Sequence, residues 1–109
     1  MAISDLDLHV LQRWADQRIP AHARAQVWIE LDITPGHVTI VECRPFFLDP
    51  DSEPTRRPVP RCRWTNTTKT WALFWCDSNG RFRLVPDFDT SPTIDALLDE
   101  IDANRTGAF

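Results

Sequence analysis

Apolar residues in the first twenty positions recur at helical spacing. Leu8, Leu11 and Ala15 form a stripe, and Val10 and Trp14 widen it. Ser4 stands just before the run, where its hydroxyl can accept from a free amide of the first turn, and Asp5 and Asp7 sit where the helix dipole favours acids. Pro20 is excluded from a helix interior, so this helix ends near Arg18. The period then drops to two. In AQVWIELDI, Val27, Ile29, Leu31 and Ile33 fall on one side and Gln26, Trp28, Glu30 and Asp32 on the other, the signature of a half-buried strand. Pro35 and Gly36 in TPGH turn the chain, and VTIVECR returns as a second strand.

Residues 45–60 carry Pro45, Pro50, Pro54, Pro58 and Pro60 and no glycine, which predicts a stiff, extended loop. RCRWT, WALFWCD and RFRLV follow as third, fourth and fifth strands, with NTTK turning between the third and fourth. Ser91 is placed to cap a last helix, with Pro92 in its first turn. Ile94, Leu97, Leu98 and Ile101 repeat at the spacing of one buried stripe, and Gly107 lies just past the end. The pattern therefore predicts an α+β fold in one domain spanning residues 1–109. Its sheet is an antiparallel five-stranded meander of hairpins, with N- and C-terminal helices packed on one face.

Strand parity carries the expectation further. If Asn79 and Gly80 form a two-residue turn, Ser78 faces Arg81, Cys76 faces Arg83, Trp75 faces Leu84 and Phe74 faces Val85. If NTTK spans four residues, Trp64 faces Trp71 and Cys62 faces Leu73. One face then gathers Cys62, Trp64, Trp71, Leu73, Trp75, Phe82 and Leu84 as the core. The opposite face gathers Arg61, Arg63, Phe74, Arg81 and Arg83, with Ala72 and Cys76 between them. A slip of one residue in either hairpin breaks that second set.

Charge sharpens this picture. The net charge of −4 conceals a segregation. Residues 1–53 hold four Arg against nine acids, residues 54–86 hold seven cations against Asp77, and residues 87–109 hold six acids against Arg105. Either the acidic ends fold back on the basic middle, or the middle presents a surface for an anion. No run of about 18 apolar residues exists, so no membrane span is expected, and the N-terminus has no basic start followed by an apolar run. Cys43, Cys62 and Cys76 are odd in number and far apart, which points to reduced thiols and a cytoplasmic setting rather than a disulfide framework.

Candidate chemistry is thin. The three His and three Cys are scattered singly, without metal-ligand spacing, and three glycines leave no material for a phosphate loop, so neither metal nor cofactor is expected. Cys76 beside Arg83 would stand in an electropositive setting that favours a thiolate, although a small apolar filler is the commoner role. Glu42 and Arg44 lie two apart on one strand near Asp32. That arrangement is a weak echo of metal-dependent nucleases, with Arg in place of Lys and Asp32 expected on the opposite face. An ion pair of Glu42 with Arg44 or Arg63 is the plainer reading.

The motifs VECRPFF, TRRPVPRCRWTNTTKTWALFWCDSNGRFR and SPTIDALLDEIDANRTGAF together resemble the small bacterial proteins grouped as domain of unknown function 3024. The shared pattern places an E-x-R-P strand end at Glu42, Arg44 and Pro45, then Arg63, Trp64 and Thr65. It continues with Trp71, Leu73, Phe74, Trp75 and Asp77, then Asn79 and Arg81, and closes on Glu100, Ile101, Asp102, Thr106, Gly107 and Phe109. Phe46 and Phe47 stand where a Pro and a Trp are more usual. The resemblance implies a single domain and brings no activity with it. The expectation is a non-enzymatic binding module. Its Arg/aromatic sheet face, with Arg56, Arg57, Phe46 and Phe47 at the rim of the proline loop, would contact an anionic macromolecule. An acidic protein surface is favoured over nucleic acid because the chain as a whole is acidic. A nuclease-like enzyme built on Glu42 and Arg44, or a homo-oligomer, are the alternatives.

Overall fold

A computed structural model describes residues 3–23, 26–45 and 53–104. In chain order these form α1 (Asp5–Arg18), a short 3₁₀ turn (Ala21–Ala23), β1 (Trp28–Thr34), β2 (His37–Arg44), β3 (Thr55–Thr65), β4 (Thr70–Cys76), β5 (Phe82–Leu84) and α2 (Ile94–Ala103). The strands make one antiparallel sheet in the order β1-β2-β3-β4-β5. Both helices lie on the same face, because Leu11 of α1 and Ile94, Leu97, Leu98 and Ile101 of α2 share one core with Val38, Ile40, Cys62, Trp71, Leu73 and Val85. The α+β meander expected from the sequence is the observed architecture.

The helices begin and end for local reasons. Ser4 caps α1 and its hydroxyl accepts from the Asp7 amide at 3.2 Å. Ile19 leaves the helix in extended conformation, ahead of Pro20. At α2 the cap residue is Thr93, not Ser91. Ser91 is committed elsewhere: it pairs with Trp71, taking the Trp71 amide on its carbonyl at 2.6 Å and donating its own amide back at 3.0 Å. Its hydroxyl still accepts from the Thr93 amide at 3.2 Å. Asn104 closes α2 in the left-handed region (φ 47°), and Gly107 lies outside the described residues. A polar staple joins the helices. Trp14 Nε1 donates to both oxygens of Asp102 at 3.2 Å, and Arg18 donates to Asp102 at 2.7 Å.

The β3–β4 hairpin has the expected register, with Trp64 opposite Trp71 and Cys62 opposite Leu73 across a four-residue turn. Two features of the sheet depart from expectation. First, β3 begins at Thr55, so the second half of the proline-rich stretch is strand. Between its pairings Thr39↔Arg61 and Val41↔Pro58, β3 bulges, with residues 59 and 60 set against Ile40. The bulge absorbs Pro60, and the residues before it pair with β2 alone, where a missing amide is tolerated.

Second, the β4–β5 register is one residue away from the expected one. Phe74 faces Leu84, Trp75 faces Arg83 and Cys76 faces Phe82. The loop holds three residues, Ser78, Asn79 and Gly80. Asp77 donates its amide to Arg81 O at 2.8 Å, and Gly80 takes a positive φ of 80°. The Asp77 carboxylate stabilises this longer loop by accepting from the amides of Asn79 and Arg81, each at 2.9 Å. Every side chain of β5 therefore changes face: Phe82 and Leu84 point away from the helices, and Arg83 shares the side of Trp75.

Truncation distinguishes the two registers. Leu73 is 2% exposed and Leu84 is 62% exposed. We predict that Leu73→Ala costs about 2–5 kcal/mol in urea unfolding and Leu84→Ala about 0.5 kcal/mol or less. Equal costs would restore the two-residue turn.

Candidate functional site on the open sheet face

The sheet face turned away from the helices is built by parity. β1 contributes Trp28, Glu30 and Asp32, and β2 contributes His37, Thr39, Val41 and Cys43. β3 contributes Arg56 before its bulge and Arg61 and Arg63 after it, because the extra residue re-phases the strand. β4 adds Ala72, Phe74 and Cys76, and β5 adds Phe82 and Leu84. The four-arginine face expected from the sequence is thus not formed. Arg61, Arg63 and Phe74 share this face, while Arg83 lies on the other side and Arg81 closes the hairpin loop.

The three arginines of β3 have different fates. Arg56 reaches across β2 to β1. It donates to Glu30 Oε1 at 2.6 Å and to both oxygens of Asp32 at 3.0 and 3.1 Å. Glu30 also accepts from Trp28 Nε1 at 2.8 Å and from the Cys43 thiol at 3.4 Å. These bonds, from Trp28 first and then Arg56 and Cys43, hold the Glu30 carboxyl below its usual range. Val41 and Cys43 are buried in the same part of the sheet. Burial, aided by Glu30, pushes the Cys43 thiol up to about 11, and burial alone pushes Cys62 up to about 12, so neither is a ready nucleophile.

Arg61 and Arg63 have no carboxylate partner among the described residues. Arg61 donates from Nε to Thr39 Oγ1 at 2.9 Å, and its Cζ stands 3.8 Å from the centroid of the Phe82 ring. Arg63 Cζ stands 4.9 Å from the centroid of Phe74. Cation–π contacts of this kind contribute about 0.5–1 kcal/mol each at exposed sites and leave the outer guanidinium donors available. Leu84, exposed, completes an apolar margin on the same row as Arg61 and Phe74.

His37, Thr39 and Phe82 belong to this site although the sequence did not single them out. His37 pairs with Arg63 across β2–β3. Partial burial first, then the Arg61 and Arg63 charges, push its imidazole below its usual value. The signal was available in principle: a histidine directly after the TPG turn sits opposite Arg63 once the β2–β3 register is known.

The remaining candidates gather elsewhere. Glu42 and Arg44 form a 3.0 Å ion pair on the helix side of β2, with Arg57 opposite Glu42. Asp32 faces away from them. A cleft of about 30 Å³ nearby, lined in part by Trp14, Ile40, Glu42 and Pro60, has room for about one water. Arg83 donates to Asp77 at 2.7 Å, while Cys76 is set opposite Phe82 instead of Arg83, so the proposed activation of its thiol has no geometric basis. Phe46 and Phe47 lie outside the described residues. Among the described residues no group of three or more His, Cys, Asp or Glu could hold a metal ion, and no helix is long and apolar enough to cross a membrane.

A family model described as a domain of unknown function (DUF3024) matches residues 1–109, the whole chain. The chain belongs to the DUF3024 family. No curated protein and no solved structure matches it. In this DUF3024 domain the motif residues map onto consecutive hairpins: Glu42 and Arg44 lie at the end of β2, Arg63, Trp64 and Thr65 at the end of β3, Trp71, Leu73, Phe74 and Trp75 within β4, and Asp77, Asn79 and Arg81 at the last loop.

The carboxylates of these clusters give the fold a pH signature. Asp77 is held below its usual range by Arg83 first and then by the Arg81 and Asn79 amides, as Glu30 is by Trp28 and Arg56. A depressed folded-state value means that the contribution is present above the unfolded carboxylate range of about 4 and lost as pH falls through the lower folded value. We predict a fall in stability below about pH 4. Asp77→Asn should unfold at lower denaturant at pH 7 and lose less on acidification than wild type. Parallel acid profiles for the two proteins would remove Asp77 from this account.

Proposed function

We propose that this DUF3024 domain is a non-enzymatic binding module of the cytoplasm whose open sheet face docks an anionic macromolecular partner. An acidic protein segment fits better than nucleic acid. The carrying observation is the pair Arg61 and Arg63: two guanidinium groups without a carboxylate among the described residues, each set on a phenylalanine ring, beside the exposed Leu84. Stacking on a ring restricts each group in advance, so less freedom is lost when it grips a carboxylate. Arg56, by contrast, is already saturated by Glu30 and Asp32. Two free charges are few for a polyphosphate backbone approaching a chain of net charge −4. They suit a segment carrying a few carboxylates and an apolar side chain for Leu84.

The nuclease-like alternative draws less support, since Asp32 and Glu42 lie on opposite faces and Glu42 is engaged with Arg44. Pairing of two copies through the same face is the other reading, and sedimentation at micromolar concentration would show it as a dimer mass.

Anisotropy titration of a labelled oligo-aspartate peptide containing one Leu tests the docking face. Wild type should bind in a salt-sensitive manner, and Arg61→Glu/Arg63→Glu should weaken binding about tenfold or more. Arg81→Glu, at the hairpin loop, should bind as wild type does. Weakening by Arg81→Glu in proportion to its smaller charge change would point to net charge alone and reject the face. Tighter binding of a single-stranded oligonucleotide than of the peptide would transfer the site to nucleic acid.

A further inference from the structure

We infer that the open face is proton-linked: an acidic segment seated on Arg61 and Arg63 draws a proton onto His37, so docking tightens as pH falls through the histidine range. This rests on the docking reading above and adds its regulation.

The geometry begins with His37 as the first residue of β2, directly opposite Arg63, with Arg61 two residues along the same face of β3. Successive same-face residues of a strand are about 7 Å apart, so the imidazole and the two guanidinium groups border one patch. Thr34, at the end of β1, holds the far side of the ring: its Oγ1 is 2.8 Å from His37 Nδ1 and 3.2 Å from the His37 carbonyl oxygen. With the hydroxyl proton given to the carbonyl, Oγ1 accepts from Nδ1–H. The ring lone pair is then left at Nε2, which has no partner among the described residues.

The charges facing His37 come from both neighbouring strands. β3 supplies Arg61 and Arg63. β1 supplies Asp32, one pair farther along, whose carboxylate is taken by Arg56. On β2 itself Glu42 and Arg44 lie on the other face. A third positive charge here therefore meets two like charges and no free acid among the described residues. Partial burial first, and then those two charges, lower the affinity of the imidazole for a proton in the unliganded protein. A carboxylate seated on the arginines reverses the local field, and a protonated Nε2 becomes a further donor to it. Because binding then raises the proton affinity of His37, protonation must strengthen binding by the same factor.

Oligo-aspartate stays ionised across the relevant range, since its side chains titrate near pH 4, so the same labelled peptide serves as the probe. Its affinity for wild type should rise about fivefold from pH 7.5 to 5.5, the part of the gain that falls inside this window when docking makes His37 hold its proton about tenfold more tightly. His37→Gln should show a flat profile over the same range. NMR of the wild-type imidazole supplies a second readout: the His37 titration should move upward when peptide saturates the protein, and also in free Arg61→Gln/Arg63→Gln. A pH slope retained in His37→Gln, or a His37 titration indifferent to both peptide and arginine removal, overturns the linkage. Docking that still depends on Arg61 and Arg63 would survive that result. Absence of peptide binding at every pH overturns both readings.

Discussion

The parity of β4 is the constraint on which the rest of this molecule depends. Trp71 and Leu73 are fully buried beneath the helices, and each contributes about 1.5–3 kcal/mol by leaving water. With those two side chains fixed, Ala72, Phe74 and Cys76 must emerge on the opposite face. The Trp64 and Trp71 rings, 5.4 Å apart, lock β3 to β4 in the register that puts Arg61 beside Phe74. The Ser91 bridge extends pairing on the other side of Trp71 and carries the chain into α2, which closes over the residues that set the parity. The open face is thus a consequence of the buried one.

Much of this order is legible in the sequence because burial and pattern agree. Alternation in WALFWC, the four-residue NTTK turn and the stripes of both helices all point to the same core. The β4–β5 hairpin defeats a local reading because turn chemistry outruns pattern there. Asn79 and Gly80 suit a two-residue turn, but the carboxylate of Asp77 collects two loop amides and stabilises a loop one residue longer. In a strand as short as Phe82–Leu84 little burial opposes that choice, so the loop decides the faces. The early start of β3 is hidden by its prolines, which argue against a strand unless a bulge or a missing neighbour excuses them. Both excuses occur here, and both depend on tertiary pairing that no local window contains.

The charge segregation also resolves only in three dimensions. The basic segment does not form one surface, and its arginines separate by function. Arg56 bridges β3 to the acids of β1 over the top of β2, in the manner of a strap across three strands. Arg83 fastens the last hairpin to Asp77. Acids of the first segment fold back on the basic middle at Arg56, whereas Arg61 and Arg63 have no carboxylate partner among the described residues.

Why the free pair should be arginine and not lysine follows from the surface it occupies. An ammonium group above a flat sheet would remain fully hydrated and mobile on its stem. A guanidinium laid over Phe74 or Phe82 is weakly hydrated, planar and restrained, and Arg61 is held further by Thr39 beneath it. Such a group costs little to desolvate and little to order when a carboxylate arrives, so even two of them can give a geometric preference that net charge alone would not supply. The same arrangement acts on the imidazole at its edge: partial burial is the larger cause of its lowered proton affinity, and the Arg61 and Arg63 charges, without a carboxylate partner among the described residues, add to it.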